Sequence, residues 1–335
     1  MFAPEAELDP NLIAAPDKLV RQPTRDGFGD GLLSAAKSDP NVVGLCADVT
    51  ESTRMNLLKE AFPDRFVQLG VHEQLLVALG AGLALAGKVP FVAAYAVFSP
   101  GRAWEQVRTN VCLNDANVKI VGSHAGVTVG PDGATHQALE DIAIMRVLPN
   151  MKVVVPCDAV EARKATLALA RTAGPAYLRL GREKTPTITT DQTPFEIGRA
   201  VVMRRGRDAA IIACGVMVAA ALAAAEELAK EKIDCSVLDC HTIKPIDQES
   251  IFAAAEETRG IVTAEDHSII GGLGSAVCEV LAEVRPTLVR RVGLKDCFAS
   301  SGRDYRKLLA AFHLDASTIQ AQAEGLWRAA RSSVL

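Results

Sequence analysis

From residue 24 onward the chain alternates short, mostly apolar runs with longer helical stretches, and this rhythm constrains the fold more than any other feature. Runs of strand length occupy 42–45, 89–94, 118–122, 152–156 and 176–180, with helical stretches such as 73–86 and 159–171 between them. A run that is apolar at every residue, rather than at every second one, is buried on both faces. The pattern predicts an α/β chain whose mostly parallel sheet carries helices on both sides. The alternation restarts with strands at 209–214, 235–238, 261–264 and 288–292 and helices at 218–230, 247–257 and 274–284. Two consecutive α/β domains are therefore expected. The proline-bearing stretch 1–22 reads as an arm, 23–182 as the first domain and 195–335 as the second. Between them, 183–194 (EKTPTITTDQTP) has no core face and reads as a linker.

Composition narrows the function. A net charge of −4 over 335 residues and an aromatic content of 4% argue against nucleic acid as a partner. The longest uncharged apolar run, 209–225, is too short for a bilayer span. The acidic N-terminus lacks signal-peptide character, so a cytoplasmic protein without a membrane partner is expected. Of eight cysteines none forms a CxxC pair. Cys46, Cys157, Cys214 and Cys235 border apolar runs and read as buried free thiols; Cys235, Cys240 and His241 make the one suggestive cluster, too small for a zinc site.

Two glycine-rich stretches invite an anion. Gly29-Asp30-Gly31, followed by Asn56, looks like a loop for a metal and a diphosphate. Such a loop needs an apolar strand leading into it, and RQPTRDGF before Gly29 cannot supply one. A helix capped by Thr24 and running toward Lys37 is expected instead, and no metal site on this chain. Gly271, Gly272 and Gly274 open another helix, where backbone N–H groups could hold an anion or small residues could let a strand pack closely.

The chemistry concentrates elsewhere. Glu73 follows a short apolar strand, 66–70, and opens an almost wholly apolar helix. It reads either as a first-turn carboxylate that stabilises the helix or as an acid held in a dry cleft at a sheet edge. Tyr95 and Phe98, just past the strand 89–94, could wall a flat ring. The stretch 120–142 packs His124, Asp132 and His136 among glycines, and Arg182 follows the strand 176–180. All these lie at carboxyl ends of expected parallel strands, where α/β proteins bind ligands. Together they favour the site.

At these residues the chain resembles the C-terminal half of transketolase, over about residues 24–315. The motifs are Ala47-Asp48, Gly70-Val71-His72-Glu73-Gln74, Tyr95-Ala96-Val97-Phe98, Gly122-Ser123-His124 and Gly130-Pro131-Asp132-Gly133-Ala134-Thr135-His136-Gln137. Further matches are Ile243-Lys244-Pro245-Ile246-Asp247 and Gly271-Gly272-Leu273-Gly274-Ser275-Ala276. The resemblance implies a pyrimidine-binding domain followed by a transketolase C-terminal domain. Glu73 would share a proton with N1′ of the aminopyrimidine of thiamine diphosphate, and Phe98 with Tyr95 would stack on that ring. Asp48 joins them as a cofactor-binding residue. Arg25, Ser52, His124 and Arg182 would bind a sugar phosphate, and Asp132 and His136 the hydroxyls near the reacting carbons. His72 and Gln74 depart from the family's usual arginine and histidine, which leaves the donor sugar open.

The family's diphosphate and metal domain has no counterpart in residues 1–23. The resemblance therefore implies an N-terminal partner subunit holding Mg²⁺ or Ca²⁺, and a second copy of this chain, in a heterotetramer of two plus two. The transfer of a two-carbon ketol unit between sugar phosphates is the expected reaction. Alternatives are a 1-deoxyxylulose-5-phosphate synthase-like or 2-oxo acid dehydrogenase E1 β-like subunit, or a catalytically silent scaffold. The E1 β-like reading would leave the four sugar-phosphate binders without a purpose, and the Asp132, His136 and Arg182 matches favour transketolase over both enzymes; the scaffold would fit better if Glu73 or Phe98 were absent.

Overall fold

A computed structural model describes residues 3–14 and 16–332. The first sheet uses β1 (Val42–Cys46), β2 (Phe66–Gln68), β3 (Val89–Tyr95), β4 (Lys119–Ser123), β5 (Lys152–Val154) and β6 (Ala176–Arg179). Each of β1, β4 and β6 is buried at every residue, as runs apolar on both faces require, and Lys119 and Arg179 are buried with them. The second sheet uses β7 (Val201–Arg204), β8 (Ala209–Ala213), β9 (Cys235–Asp239), β11 (Ile261–Ser268) and β12 (Val289–Leu294). Its order is β12-β11-β8-β9-β7, parallel except for the edge strand β7. The expected α/β fold with two mostly parallel sheets is thus present.

One strand crosses over. β10 (Thr242–Lys244), which the sequence reading assigns to the second domain, hydrogen-bonds antiparallel to β5 and completes a seven-stranded sheet of order β10-β5-β6-β4-β3-β1-β2. The apolar residues Ile212, Cys214, Leu238 and Ile243 accordingly pack in one cluster with Val153, Val155 and Tyr177. The two sheets share a core rather than merely touching.

Helix α1 (Thr24–Ser38) lies against α3 (Ala159–Arg171). A Cβ on Gly27 would come within 1.9 Å of the Ala159 carbonyl oxygen, and one on Gly31 within 2.9 Å of the Arg163 oxygen. These glycines permit close helix packing, which is why the Gly-Asp-Gly stretch forms no diphosphate loop. Thr24 is not the cap expected of it. Pro23 holds that position, and the Thr24 hydroxyl instead accepts from the Gly181 N–H at 2.7 Å, tying α1 to the end of β6.

The stretch 183–194 also differs from the expectation of a linker without a core face. Ile188 is fully buried in the second core, and the N–H groups of Ile188 and Thr189 donate to Asp158 at 2.8 and 2.7 Å. The N-terminal arm lies on this chain's own second sheet: the Val202 N–H donates to the Pro4 oxygen, and the Ala6 N–H to the Val202 oxygen. Leu8 bridges to Thr189. Edge strand β7 is thereby covered, which removes a row of unpaired backbone groups.

All eight cysteines are free, and Cys46, Cys157, Cys214 and Cys235 are buried. No described helix is long and apolar enough to cross a membrane.

Candidate active site

Four strand ends of the first sheet supply the cleft. Glu73 opens α2 (Glu73–Leu85) just past β2, where Gly70, with φ at +66°, turns the chain out of the strand. Its side chain is 3% exposed, although the residues on either side of it face solvent. One carboxylate oxygen accepts from Arg102 Nη1 at 2.9 Å. The same guanidinium lies 4.9 Å above the Phe98 ring, so Arg102 spans the gap between the acid and the aromatic face. Arg102 is absent from the residues that the sequence singles out. Its signal is its place four residues after Phe98, one helical turn on, and its N–H does donate to the Phe98 oxygen.

The expected aromatic wall is extended by two imidazoles. Tyr95 and Phe98 ring centroids are 6.3 Å apart and roughly parallel. The His124 ring packs 4.1 Å from Tyr95, and the His136 ring meets Phe98 edge-on at 5.4 Å. His124 then contacts Arg25 through Nε2 at 3.2 Å and Ser123 Oγ through Nδ1 at 2.9 Å. Arg25 can only donate, so Nε2 must accept and Nδ1 carries the proton. Burial, followed by the charge of Arg25, pushes the His124 imidazolium down to about 3. His124 therefore stands neutral and brings no positive charge of its own to an anion. Arg25 Nη1 also donates to the Ser52 carbonyl at 2.9 Å, so Ser52 enters through its backbone.

Arg182 donates to the Val129 oxygen at 2.7 Å and lies 3.3 Å from Asp132. The Gly181 N–H bond to the Thr24 hydroxyl brings the next residues, Arg182 and Arg25, to the same end of the sheet. Seven of the ten residues singled out from the sequence are joined by these contacts, with Arg102 linking Glu73 to Phe98, and Arg182 with Asp132 forms a pair of its own. Asp48 stands apart. It has φ at +61° and exchanges hydrogen bonds with the Gln68 side chain, at the end of β2, the edge strand that leads to Glu73.

A buried network fixes the loop that carries His124, Asp132 and His136. Arg179 donates to Asp141 at 2.8 Å and to the Asp266 carbonyl at 2.8 Å. Tyr177 shares the same Asp141 oxygen, and Asp266 accepts from the Val127 N–H. Residues of both sheets thus hold one wall of the cleft.

The second glycine-rich stretch resolves toward packing. Glu265, from β11, accepts from the N–H groups of Leu273 and Gly274 at 2.7 and 2.9 Å, at the start of α4 (Leu273–Val284). A Cβ on Gly272 would lie 1.9 Å from that carboxylate. The helix terminus already has its acceptor, and it is the protein's own carboxyl group. Among the described residues one group gathers three metal-type ligands, Cys157, Glu161 and Asp239, all buried. Burial and then the charge of Asp158 raise Glu161 to about 7, and burial and then the charge of Glu161 raise Asp239 well above the ordinary carboxylate range, so the pair retains a proton near neutrality. One retained proton removes one of the pair's two negative charges.

The residues present suit the pyrimidine of thiamine diphosphate. A ring with a nitrogen at its edge needs a buried acid beside a flat aromatic face, and here one planar cation already bridges that acid and that face.

Residues 21–187 match the transketolase pyrimidine-binding domain, and 198–319 match the transketolase C-terminal domain. A 6-deoxy-6-sulfo-D-fructose transketolase subunit of Clostridium sp. (strain MSTE9) is 41% identical over 87% of this chain and 90% of its own. An apulose-4-phosphate transketolase subunit of Phocaeicola vulgatus is 39% identical over 87% and 93% respectively. A solved split-gene transketolase, described as an inactive β4 tetramer, superposes with a TM-score of 0.85 at 42% identity, covering 91% of this chain and 98% of that one. With its cleft assembled at the strand ends of the pyrimidine-binding domain, this chain belongs to the transketolase family, to the part of it that carries the pyrimidine-binding and C-terminal domains.

Proposed function

We propose that this chain is the C-terminal subunit of a split transketolase that moves a two-carbon ketol unit between sugar phosphates. The observation that carries the reading is Glu73: a carboxylate 3% exposed, at a strand-to-helix junction, paired across the Phe98 face with a single half-exposed cation. An acid with only a structural duty at a helix start has no need of that aromatic setting.

The residues divide the work. Glu73 exchanges a proton with N1′ of the cofactor's aminopyrimidine, Phe98 and Tyr95 stack against that ring, and Asp48 borders the cofactor-binding edge. Thiamine diphosphate, when bound, supplies the electron sink for carbon–carbon cleavage. Arg25 and Arg182 present planar forks to the substrate's terminal anion, with His124 and Ser52 orienting Arg25. Asp132 and His136 receive the hydroxyls near the reacting carbons. Neutral His124 exchanges hydrogen bonds without adding charge. A guanidinium fork recognises a sulfonate as well as a phosphate, so the relatives named for sulfofructose and apulose 4-phosphate are compatible with the same pair of arginines.

A separate N-terminal subunit holds the diphosphate through Mg²⁺ or Ca²⁺, and two copies of each subunit form the working assembly. The decisive experiment mixes the purified chain with that subunit, thiamine diphosphate and Mg²⁺. Ketol transfer to ribose 5-phosphate is followed from a panel of phosphorylated and sulfonated ketoses. Activity should appear only in the mixture. Full turnover by this chain alone would end the split-subunit reading.

A further inference from the structure

We infer that Arg102 is a further residue of the cofactor site, a stand-in for the pyrimidine that occupies both of the ring's contacts until the cofactor displaces it. This rests on the proposed cofactor chemistry and goes beyond it, because Arg102 is assigned no part there.

A bound aminopyrimidine asks two things of this chain: an acceptor for the donor at its edge, and a flat surface for its face. Arg102 uses both. Its Nη1 donates to Glu73 at 2.9 Å, and its guanidinium carbon sits 4.9 Å from the centre of the Phe98 ring. A guanidinium is planar, carries N–H donors at its edge and stacks on aromatic rings, so it reproduces the pyrimidine's contacts in miniature. Stacked on the same face of Phe98, the two ligands exclude each other.

The burial of the two partners is unequal, and this makes the exchange feasible. The Glu73 side chain is 3% exposed, whereas that of Arg102 is 52% exposed. Among the described residues the Arg102 side chain has no hydrogen bond other than the one to Glu73, so rotation about its own side-chain bonds returns it to water. Glu73 cannot follow. If Arg102 were simply missing, a buried carboxylate would face the empty cleft with no partner. The arginine therefore keeps the site formed, and whatever displaces it must bring a donor of its own. A ring without a donor at that edge would strand the carboxylate and be rejected.

The test is calorimetric titration of thiamine diphosphate, with excess Mg²⁺, into the complex of this chain with its N-terminal subunit. Arg102→Met keeps the aliphatic bulk over Phe98 and removes the donors. It should tighten the Kd by roughly two- to fivefold, the scale of a half-exposed ion pair that no longer has to be broken. The gain should vanish in a Glu73→Gln background, where there is no charge to hold the arginine. In the cofactor-free complex Arg102→Met should lower the Tm, and saturating cofactor should abolish that difference. An unchanged or weaker Kd for Arg102→Met, or an equal gain in both backgrounds, would overturn the inference while leaving the proposed function intact. A wild-type complex that binds no thiamine diphosphate would overturn both.

Discussion

Glu73 and Glu265 sit in corresponding places in the two halves of the molecule. Each is buried, and each lies beside the N-terminus of a helix packed on a mostly parallel sheet. Glu73 belongs to the helix itself and is met by one long side chain that reaches in from solvent. Glu265 comes from a neighbouring strand and is held by two backbone N–H groups that cannot move without unwinding the helix. Burial alone therefore does not mark a reactive acid. What separates them is whether the partner can leave, and only Glu73 has an exchangeable one.

The same substitution in both places gives the sharpest test. In the reconstituted complex Glu73→Gln should lower kcat roughly 10²–10⁴-fold, the usual cost of removing a positioned acid–base group. Cofactor binding should persist, and hydrogen–deuterium exchange at the cofactor's C2 should slow in step. Near-normal exchange in a folded, loaded Glu73→Gln complex would return Glu73 to the merely structural class that Glu265 represents.

Arg25→Ala and Arg182→Ala should each raise KM for phosphorylated sugars roughly ten- to hundredfold, the equivalent of losing a charged hydrogen bond to an anion. An unphosphorylated donor should be nearly indifferent, which separates a lost anion contact from misfolding. Unchanged KM for every anionic substrate would detach these arginines from the site.

Glu265→Gln should do the reverse of Glu73→Gln. Its amide offers one acceptor where two N–H groups need one each, so a stability loss of about 1–3 kcal/mol is expected, read as a lower denaturation midpoint. The kcat of the folded protein should stay near wild type. A large fall in kcat without loss of stability would blur the distinction between the two glutamates.

The smallest expected effect concerns pH. Burial raises Glu265 to about 7, and burial with repulsion from Asp158 raises Glu161 to about 7, well above the ordinary carboxylate range near 4.3. The folded chain then keeps protons that the unfolded chain has released. Stability from these groups is full at low pH, below the unfolded values, and is lost as pH rises through about 7. The Tm should fall between pH 5 and 8. Glu161→Gln, which offers Asp239 a permanent donor, should flatten part of that slope. An identical slope in the variant would remove the Glu161–Asp239 pair as its source.

How much of the fold and the site is legible in the sequence follows from the range of the forces involved. Runs that are apolar on both faces read as central strands, so residues 42–45, 118–122 and 176–180 announce a covered parallel sheet although Lys119 and Arg179 interrupt two of them. Carboxyl ends of parallel strands lie along one edge, so Glu73, Tyr95, His124 and Arg182 can be placed near one another from their positions alone. Local composition fails where a residue's role depends on a distant partner. Ile188 in a threonine-rich stretch reads as linker because its core belongs to the other sheet. Thr24 reads as a cap, but its hydroxyl serves Gly181, far along the chain.

By itself the sequence determined the two α/β units, the strand-end location of the candidate site and the kinship with transketolase, because periodicity and contiguous motifs are properties of neighbours in the chain. Only the tertiary structure decided that β10 joins the first sheet, that Glu265 fills the glycine-rich helix start and that Arg102 covers Glu73. Each of these depends on side chains or strands that meet after the chain has crossed from one element to another. Hydrogen bonds and ion pairs act over a few ångströms, and no spacing along a sequence records which distant groups will come within that reach.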